Sequence, residues 1–355
     1  MLEIKQLYKR YGKFTALDHI DLTIEEGNIF GFVGPNGAGK TTTMRILATL
    51  MAPSGGDAWI NGVSVTENPT EVRRQIGYMP DFFGVYDNLR VDEYLDFYSA
   101  AAGLSHQEGK RSSAELLELV YLSDKSDQYV DHLSRGMKQR LCLARSLIGN
   151  PKFLILDEPA SGMDARARVE MKMILKTLKD MRKTIMISSH ILPELAELCD
   201  TFGIIERGQF KFLGTLEEIG TKVHGGQLIV IEVLSQFPTA SSASPPAQSS
   251  AQSTTPSTVR PLAKLPNQPL IQAPPPSLVR SPPPEILETL LREHPLVNHI
   301  DRTDNSFRIA FSGTQEDIRQ LLFSLVQQQI PVIRFAPEQE NLEDVFLEVT
   351  KDETN

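Results

Sequence analysis

Short apolar runs recur through the first two thirds of the chain and set its architecture. Phe153–Leu156 is continuously apolar, and Thr184–Ser188 and Phe202–Ile205 are two further short runs. Runs of four or five residues with no polar alternation suit strands buried on both faces, as in a parallel sheet. Between the first two, Met171, Ile174, Leu175, Leu178 and Met181 recur at helical spacing, which predicts a helix over Val169–Met181. Pro193 stands where a first helical turn tolerates it, ahead of Glu194–Cys199. Strands alternating with helices predict a βαβ arrangement. Near the other end of the chain the pattern changes. Gln227–Leu234, Val297–Asp301, Phe307–Phe311 and Val332–Phe335 read as strands, and Glu285–Arg292 and Glu316–Gln327 as helices. Their order, β-α-β-β-α-β, is ferredoxin-like. Asn341 and Asp344 can cap a last short helix, Leu342–Val349.

Proline divides these two regions. Of the 23 prolines, 13 lie between Pro238 and Pro284, among Ser, Thr, Ala and Gln and without one acidic residue. Such a composition cannot bury enough apolar surface to offset its chain entropy. Residues 237–284 therefore read as a disordered Pro/Ser-rich linker inside the second domain. The domains expected are 1–222, with a helical part at about 82–145, and a small α+β domain from 223–236 plus 285–350.

The chain has 355 residues, 41% of them hydrophobic and 23% charged, which is ordinary globular composition. No stretch reaches the length of a membrane span, and MLEIKQLYKRYGK lacks a signal-peptide core, so a cytoplasmic protein is expected. Cys142 and Cys199 are too few and too far apart for a disulfide scaffold or a zinc ribbon. A net charge of −9 disfavours general nucleic-acid binding. His19, His106, His132, His224, His294 and His299 show no metal-ligand spacing, and Met171, Met173 and Met181 are expected to pack rather than to do redox chemistry.

Two motifs carry chemistry on their own residues. Gly34-Pro-Asn-Gly-Ala-Gly-Lys-Thr41 matches G-x-x-x-x-G-K-[ST] between a predicted strand and a predicted helix. Its glycines let the backbone wrap a phosphate chain, and its amides and the helix N-terminus present positive charge to it. Lys40 adds a full charge near the β- and γ-phosphates, and Thr41 offers a hydroxyl to Mg²⁺. The strand Phe153–Leu156 ends in Asp157 and Glu158. Asp157 is placed for Mg²⁺, and Glu158 to orient or deprotonate a water.

Five ordered stretches of residues 1–222 then resemble the ATP-binding-cassette (ABC) ATPases. Besides the two motifs above, Leu133-Ser-Arg-Gly-Met-Lys-Gln-Arg140 resembles the family's signature peptide, Ser161-Gly-Met-Asp164 its D-loop, and Ile187-Ser-Ser-His190 its switch-histidine loop. Tyr11 matches the aromatic that stacks on adenine. The resemblance implies a P-loop nucleotide-binding fold with a helical subdomain. It implies ATP and Mg²⁺ as cofactors, and ATP contacts from Tyr11, Gly34, Pro35, Asn36, Gly37, Ala38, Gly39, Lys40, Thr41 and Thr42. Glu158, His190 and Lys40 are the implied catalytic residues. Ser134, Gly136 and Asp164 are implied to act across a head-to-tail dimer, and Thr41, Asp157 and Asp81 on the metal. Taken by themselves, Ser134 and Asp164 also read as helix N-caps, and His190 as the polar end of a strand.

Three positions in two motifs depart from the family pattern. Asp81 stands where glutamine is usual, and Arg135 and Met137 replace the signature's usual Gly and Gln. These departures, with Leu342–Leu347 near the end, resemble the subfamily serving export-type permeases. The implied partners are a separate membrane permease and a second copy or a related ATPase, at the inner face of the cell membrane. An importer ATPase, or an ABC ATPase acting on ribosomes or DNA, is the alternative. Six of the 25 aromatics, Phe82, Phe83, Tyr86, Tyr94, Phe97 and Tyr98, crowd the start of the helical subdomain. They are read either as a small aromatic core or as the groove for a permease's coupling helix.

Overall fold

The computed structural model describes residues 2–81, 84, 88–219, 225–234 and 284–338. The expected linker, the last helix at Leu342–Val349, and Phe82, Phe83 and Tyr86 lie outside the described residues. The described residues fall into two compact units, one holding residues 2–219 and one holding 225–234 and 284–338.

In chain order, the first unit begins with β1 (Leu2–Tyr11), β2 (Phe14–Ile24), β3 (Ile29–Val33), α1 (Lys40–Leu47), β4 (Gly55–Ile60), β5 (Val63–Ser64), α2 (Pro69–Arg73) and β6 (Ile76–Met79). It continues through α3 (Val91–Ala101), α4 (His106–Leu119), α5 (Arg135–Leu147), β7 (Phe153–Leu156), α6 (Ala165–Asp180), β8 (Thr184–Ser189), α7 (Leu192–Ala196), β9 (Thr201–Glu206) and β10 (Gln209–Gly214). The expected parallel sheet has the order β10-β9-β3-β8-β7-β6, parallel except for β10. A second sheet, β2-β1-β4-β5, is antiparallel and was not foreseen.

The two sheets explain the apolar runs. Along β3, β7 and β8, alternate residues feed two different cores. Phe30, Phe32, Phe153, Ile155 and Met186 pack with Leu2, Ile4, Leu17 and Ile20 of the antiparallel sheet. Ile29, Val33, Leu154, Leu156, Ile185 and Ile187 pack with the helices, including Met171, Ile174, Leu175 and Leu178 of α6. Each strand is covered on both faces, so no polar alternation survives. Helix α6 starts four residues earlier than its apolar spacing predicts, because its N-cap is Asp164 and its first turn buries only the small Ala167 while Ala165, Arg166 and Arg168 are exposed. Two of the three methionines expected to pack do not: Met171 is buried, but Met173 and Met181 are 43% and 55% exposed. Met181 is the C-cap of α6, where the chain turns away from the core. Cys142 and Cys199 are free; burial holds the Cys142 thiol at about 11 and pushes that of Cys199 up as well.

Helices α3, α4 and α5 form the helical part. Ser105 caps α4 through a capping box with Glu108. Tyr94 is fully buried, and Arg145 donates to the hydroxyls of Tyr94 and Tyr98 while lying over the Tyr98 ring. Two of the clustered aromatics therefore build a core around a guanidinium, whereas Phe97 is half exposed. Among the described residues no helix is long and apolar enough to cross a membrane.

The second unit consists of β11 (Gln227–Val233), α8 (Pro284–Glu293), β12 (Val297–Thr303), β13 (Ser306–Phe311), α9 (Gln315–Gln327) and β14 (Val332–Pro337). Its antiparallel sheet runs β12-β13-β11-β14, the strand order of a ferredoxin-like domain. Ile229, Ile231, Phe307, Ile309 and Phe311 on one face pack against Leu287 and Leu291 of α8 and Leu321 and Leu325 of α9.

Candidate functional site

Three neighbouring strands of the parallel sheet deliver the candidate chemistry at one edge. Val33 pairs with Ser189, and Leu156 with Ile187, so the carboxyl ends of β3, β8 and β7 are level. In open α/β sheets that edge, beside a reversal of strand order, is where ligands bind.

The loop after β3 turns through Pro35–Gly39 into α1. Gly39 is the N-cap at φ +116, a conformation L side chains avoid, and a Cβ there would lie 2.7 Å from Leu17 Cδ2. Gly34 has no room either, since a Cβ would run into the Ile205 carbonyl. Gly34, Ala38, Gly39 and Lys40 are buried, while Pro35, Asn36 and Gly37 are exposed. Lys40, only 5% exposed, donates to the Gly34 carbonyl at 2.5 Å and the Pro35 carbonyl at 3.3 Å, and lies 3.8 Å from Glu158 Oε1. Burial pushes its ammonium below the ordinary range, and Glu158 and then Asp157 pull the other way.

The paired carboxylates after β7 face different surroundings. Asp157 is 1% exposed; its N–H donates to the Met79 carbonyl at 2.8 Å. Its Oδ1 accepts from the Ser188 hydroxyl at 2.7 Å, and its Oδ2 is buried with no hydrogen-bond partner. Glu158 has φ +49, a left-handed conformation that costs a non-glycine residue roughly 1–2 kcal/mol. The same Ser188 hydroxyl accepts from the Glu158 N–H at 2.9 Å and holds the turn. That turn sends the Glu158 side chain to His190, whose Nδ1 lies 2.8 Å from Oε2. Burial, then the Asp157 charge, also push the nearby Tyr78 phenol up to about 12.

A cleft of about 360 Å³ opens over this edge. Among its lining residues are Tyr11, Pro35, Asn36, Gly37, Gly39, Lys40, Thr41, Thr42, Asp81, Glu158 and His190, all singled out by sequence. Tyr11 is 44% exposed, with its hydroxyl on Met51 Sδ and Lys9 over its ring. Phe14 and Ala16 also line it and were missed; Ser161, the first residue of the stretch resembling the D-loop, lines it as well. Tyr11 and Phe14 pair across the two-residue turn of the β1–β2 hairpin, so one aromatic brings the other. Asp157 lies beneath the cleft rather than in its wall. Its orphaned Oδ2, with the Thr41 hydroxyl in the wall, is a donor set fit for a small hard cation that takes its remaining oxygens from phosphate and water.

Ser134, Gly136 and Asp164 are not in this cleft wall. Ser134 caps α5, accepting from Met137 N–H, and Asp164 caps α6, accepting from Ala167 N–H at 2.8 Å. Gly136 packs so closely on α6 that a Cβ would sit 2.6 Å from Ala167 Cβ.

Ser188 was not foreseen as a site residue, and its effect is measurable. Ser188→Ala strips the buried Asp157 carboxylate of its hydroxyl donor and frees the Glu158 turn. The expected loss is about 1–3 kcal/mol of unfolding free energy in urea denaturation of the full chain. A change below about 0.5 kcal/mol, the size of an ordinary surface substitution, would show that the hydroxyl does not hold this edge together.

Comparison with known proteins agrees with this geometry. The family model described as ABC transporter matches residues 17–161. The "Probable multidrug ABC transporter ATP-binding protein YbhF" of Escherichia coli (strain K12) is 36% identical over 219 residues, which is 62% of this chain and 38% of that protein. The match thus spans well under half of that relative. The "Linearmycin resistance ATP-binding protein LnrL" of Bacillus subtilis (strain 168) is 32% identical, covering 66% of this chain and 75% of the relative. The "Bacitracin transport ATP-binding protein BcrA" of Bacillus licheniformis is 40% identical over 62% of this chain and 69% of its own length. A solved "Structure of ATP binding subunit of ABC transporter" superposes with TM-score 0.57 at 32% identity, covering 62% of this chain and 92% of that one. The fold, the level strand ends and these matches make one statement: the chain belongs to the ATP-binding proteins of ABC transporters.

Proposed function

We propose that this chain is the ATP-hydrolysing subunit of an export-type ABC transporter. ATP-driven closure of a head-to-tail dimer would power a separate membrane permease. The observation that carries the reading is the pair after β7: one carboxylate buried with a free oxygen, its neighbour turned between Lys40 and His190. Two acids so placed can divide the labour of a phosphoryl transfer.

In this reading Tyr11 stacks on the adenine, with Phe14 beside it. The loop Gly34–Thr42 and the N-terminus of α1 hold the phosphates, and Lys40 adds its charge at the β- and γ-phosphates. Thr41 and Asp157, with Asp81 at the cleft wall, would hold Mg²⁺. When bound, that ion neutralises charge developing on the phosphate oxygens. Glu158 orients a water in line with the γ-phosphorus and takes its proton. The new water O–P bond forms as the bond to the ADP oxygen breaks, giving ADP and phosphate. His190 stabilises the γ-phosphate and keeps Glu158 aimed. Ser134 and Gly136, with Asp164, would complete the partner's site, where the N-terminus of α5 meets the partner's phosphate.

Export as the direction rests on the signature's departures and on relatives named for multidrug transport, linearmycin resistance and bacitracin transport. The half-exposed Phe97 on α3 marks the helical surface proposed to receive the permease. The protein would then sit at the inner face of the membrane through that partner. Nucleic acid is not expected as a partner of a chain with net charge −9.

The test is capture from detergent-solubilised membranes of the source cell, with tagged full-length chain and MgATP, read by mass spectrometry. A polytopic membrane protein in stoichiometric amount is the expected result. Ribosomal or chromosomal partners with no membrane protein would overturn the transport reading and leave the nucleotide chemistry in place.

A further inference from the structure

The two segments assigned above to the partner's nucleotide are fastened to each other within one chain. Gln139 on α5 is 1% exposed, and its Nε2 donates to the Ser161 carbonyl at 3.0 Å. Ser161 opens the loop that ends in Asp164 and itself lines the nucleotide cleft. The carbonyl can only accept, so the amide's NH₂ must face it. The other end of the amide, Oε1, is buried without a hydrogen-bond partner. Gly136 packs on Ala167 a few residues to one side. Arg135 lies across Gly162, at φ +66, so closely that a Cβ there would strike the guanidinium. On the far side, Arg140 bridges Glu170 of α6 at 3.1 Å and donates to the Val120 carbonyl at 2.8 Å.

Of these ties, Gln139 is the only one whose partner is the main chain of the loop itself through a directed hydrogen bond. A buried acceptor left unpaired lowers stability, so an apolar residue of the same shape would hold the fold at least as well. An amide here does something that packing does not require. We propose that Gln139 is a positioning residue for hydrolysis. Its amide sets the Ser161 carbonyl and thereby the loop 161–164, so that this loop and the N-terminus of α5 approach the partner's nucleotide as one block. The inference rests on the head-to-tail reading given above.

The test uses the full-length chain with Gln139→Met, which removes the donor, and Gln139→Glu, which replaces it by a group that donates only when protonated. Both are expected to lower kcat about tenfold while changing KM for MgATP less than about twofold, because a misplaced group costs rate more than ground-state binding. Gln139→Met is expected to melt no lower than the wild type. The distinguishing readout is the ratio of variant to wild-type kcat between pH 6 and 8.5. Burial raises a carboxyl's pKa, so the ratio for Gln139→Glu should climb as pH falls, while that for Gln139→Met stays flat. Arg135, Arg140 and Glu170, the charged groups of the same contact, are present in both variants and cancel in the comparison. Wild-type kcat in both variants would overturn the proposal. So would an equal loss in both with a flat ratio and a lowered melting temperature, which would reduce Gln139 to packing. Failure of the underlying function looks different: the wild-type chain itself would then show no MgATP turnover.

Discussion

Glu158→Gln is expected to bind MgATP with an affinity close to that of the wild type, to turn over about 10²–10⁴-fold more slowly, and to accumulate as a closed dimer. The substitution is nearly isosteric. A glutamine amide can still meet His190 Nδ1, now 2.8 Å from the carboxylate, and can keep the left-handed turn held by Ser188. What disappears is the negative charge able to take a proton from water. The same change removes the carboxylate 3.8 Å from Lys40, leaving that ammonium with less competition for phosphate. Binding and hydrolysis should therefore separate. Phosphate release, nucleotide binding by fluorescence and size-exclusion chromatography with MgATP read the three quantities on one preparation. Turnover within about threefold of the wild type would remove Glu158 from the chemistry.

Lys40→Met is expected to do the opposite, losing about 100-fold or more in MgATP affinity while the chain stays folded. In the free protein the ammonium is satisfied by the Gly34 and Pro35 carbonyls. Those contacts point the lysine along the inside of the loop that would hold the phosphates. A methionine fills the same channel without the charge. Burial lowers the pKa of Lys40, so in the alkaline range the folded chain releases this proton before the unfolded chain does, and this site makes stability rise with pH there. A bound polyphosphate favours the charged form. Wild-type affinity should consequently fall towards alkaline pH earlier than it would with an exposed lysine, and Lys40→Met should flatten that slope. Calorimetric titration of both proteins across pH measures it, and unchanged affinity in the variant would defeat the assignment.

Much of this site is local in sequence, which is why it could be read there. The phosphate loop and the acids after Phe153–Leu156 occupy a few consecutive positions, and their chemistry follows from residue type and spacing. The loop's departures from ordinary backbone are carried by glycines, which advertise themselves. The strain at Glu158 is not advertised, because a left-handed glutamate looks like any other in sequence; it depends on Ser188, thirty positions away on the neighbouring strand. Phe14 escaped notice because its place beside Tyr11 comes from a hairpin register. That hairpin belongs to a sheet with shifted pairings, where alternation is broken: Ile4 to Leu7, Leu7 to Lys9 and Lys9 to Arg10 each slip. The parallel strands were legible for the opposite reason, since burial on both faces erases alternation. Met173 and Met181 show the limit of an apolar count on a helix. The buried face of α6 is already filled by Met171, Ile174, Leu175 and Leu178, and the remaining methionines turn to solvent.

The position of β11 inside its sheet has a consequence for the order in which the chain is made. Both of its neighbours, β13 and β14, are encoded after the proline-rich stretch, and Ile229 meets Ile309 about 80 residues later. At roughly 5–20 residues per second, a ribosome leaves β11 without a partner for about 4–16 s. During that interval Ile229, Ile231 and Val233 form a short apolar strand with two open edges, the kind of segment that pairs with whatever strand it meets. The described strands of the first unit, β1 to β10, all precede β11 and have by then their own partners to hand. Newly made chains should thus carry the paired strands of the nucleotide-binding unit ahead of an unpaired β11, and crowding of such chains on one message would bring the exposed β11 strands together before either has its proper neighbours.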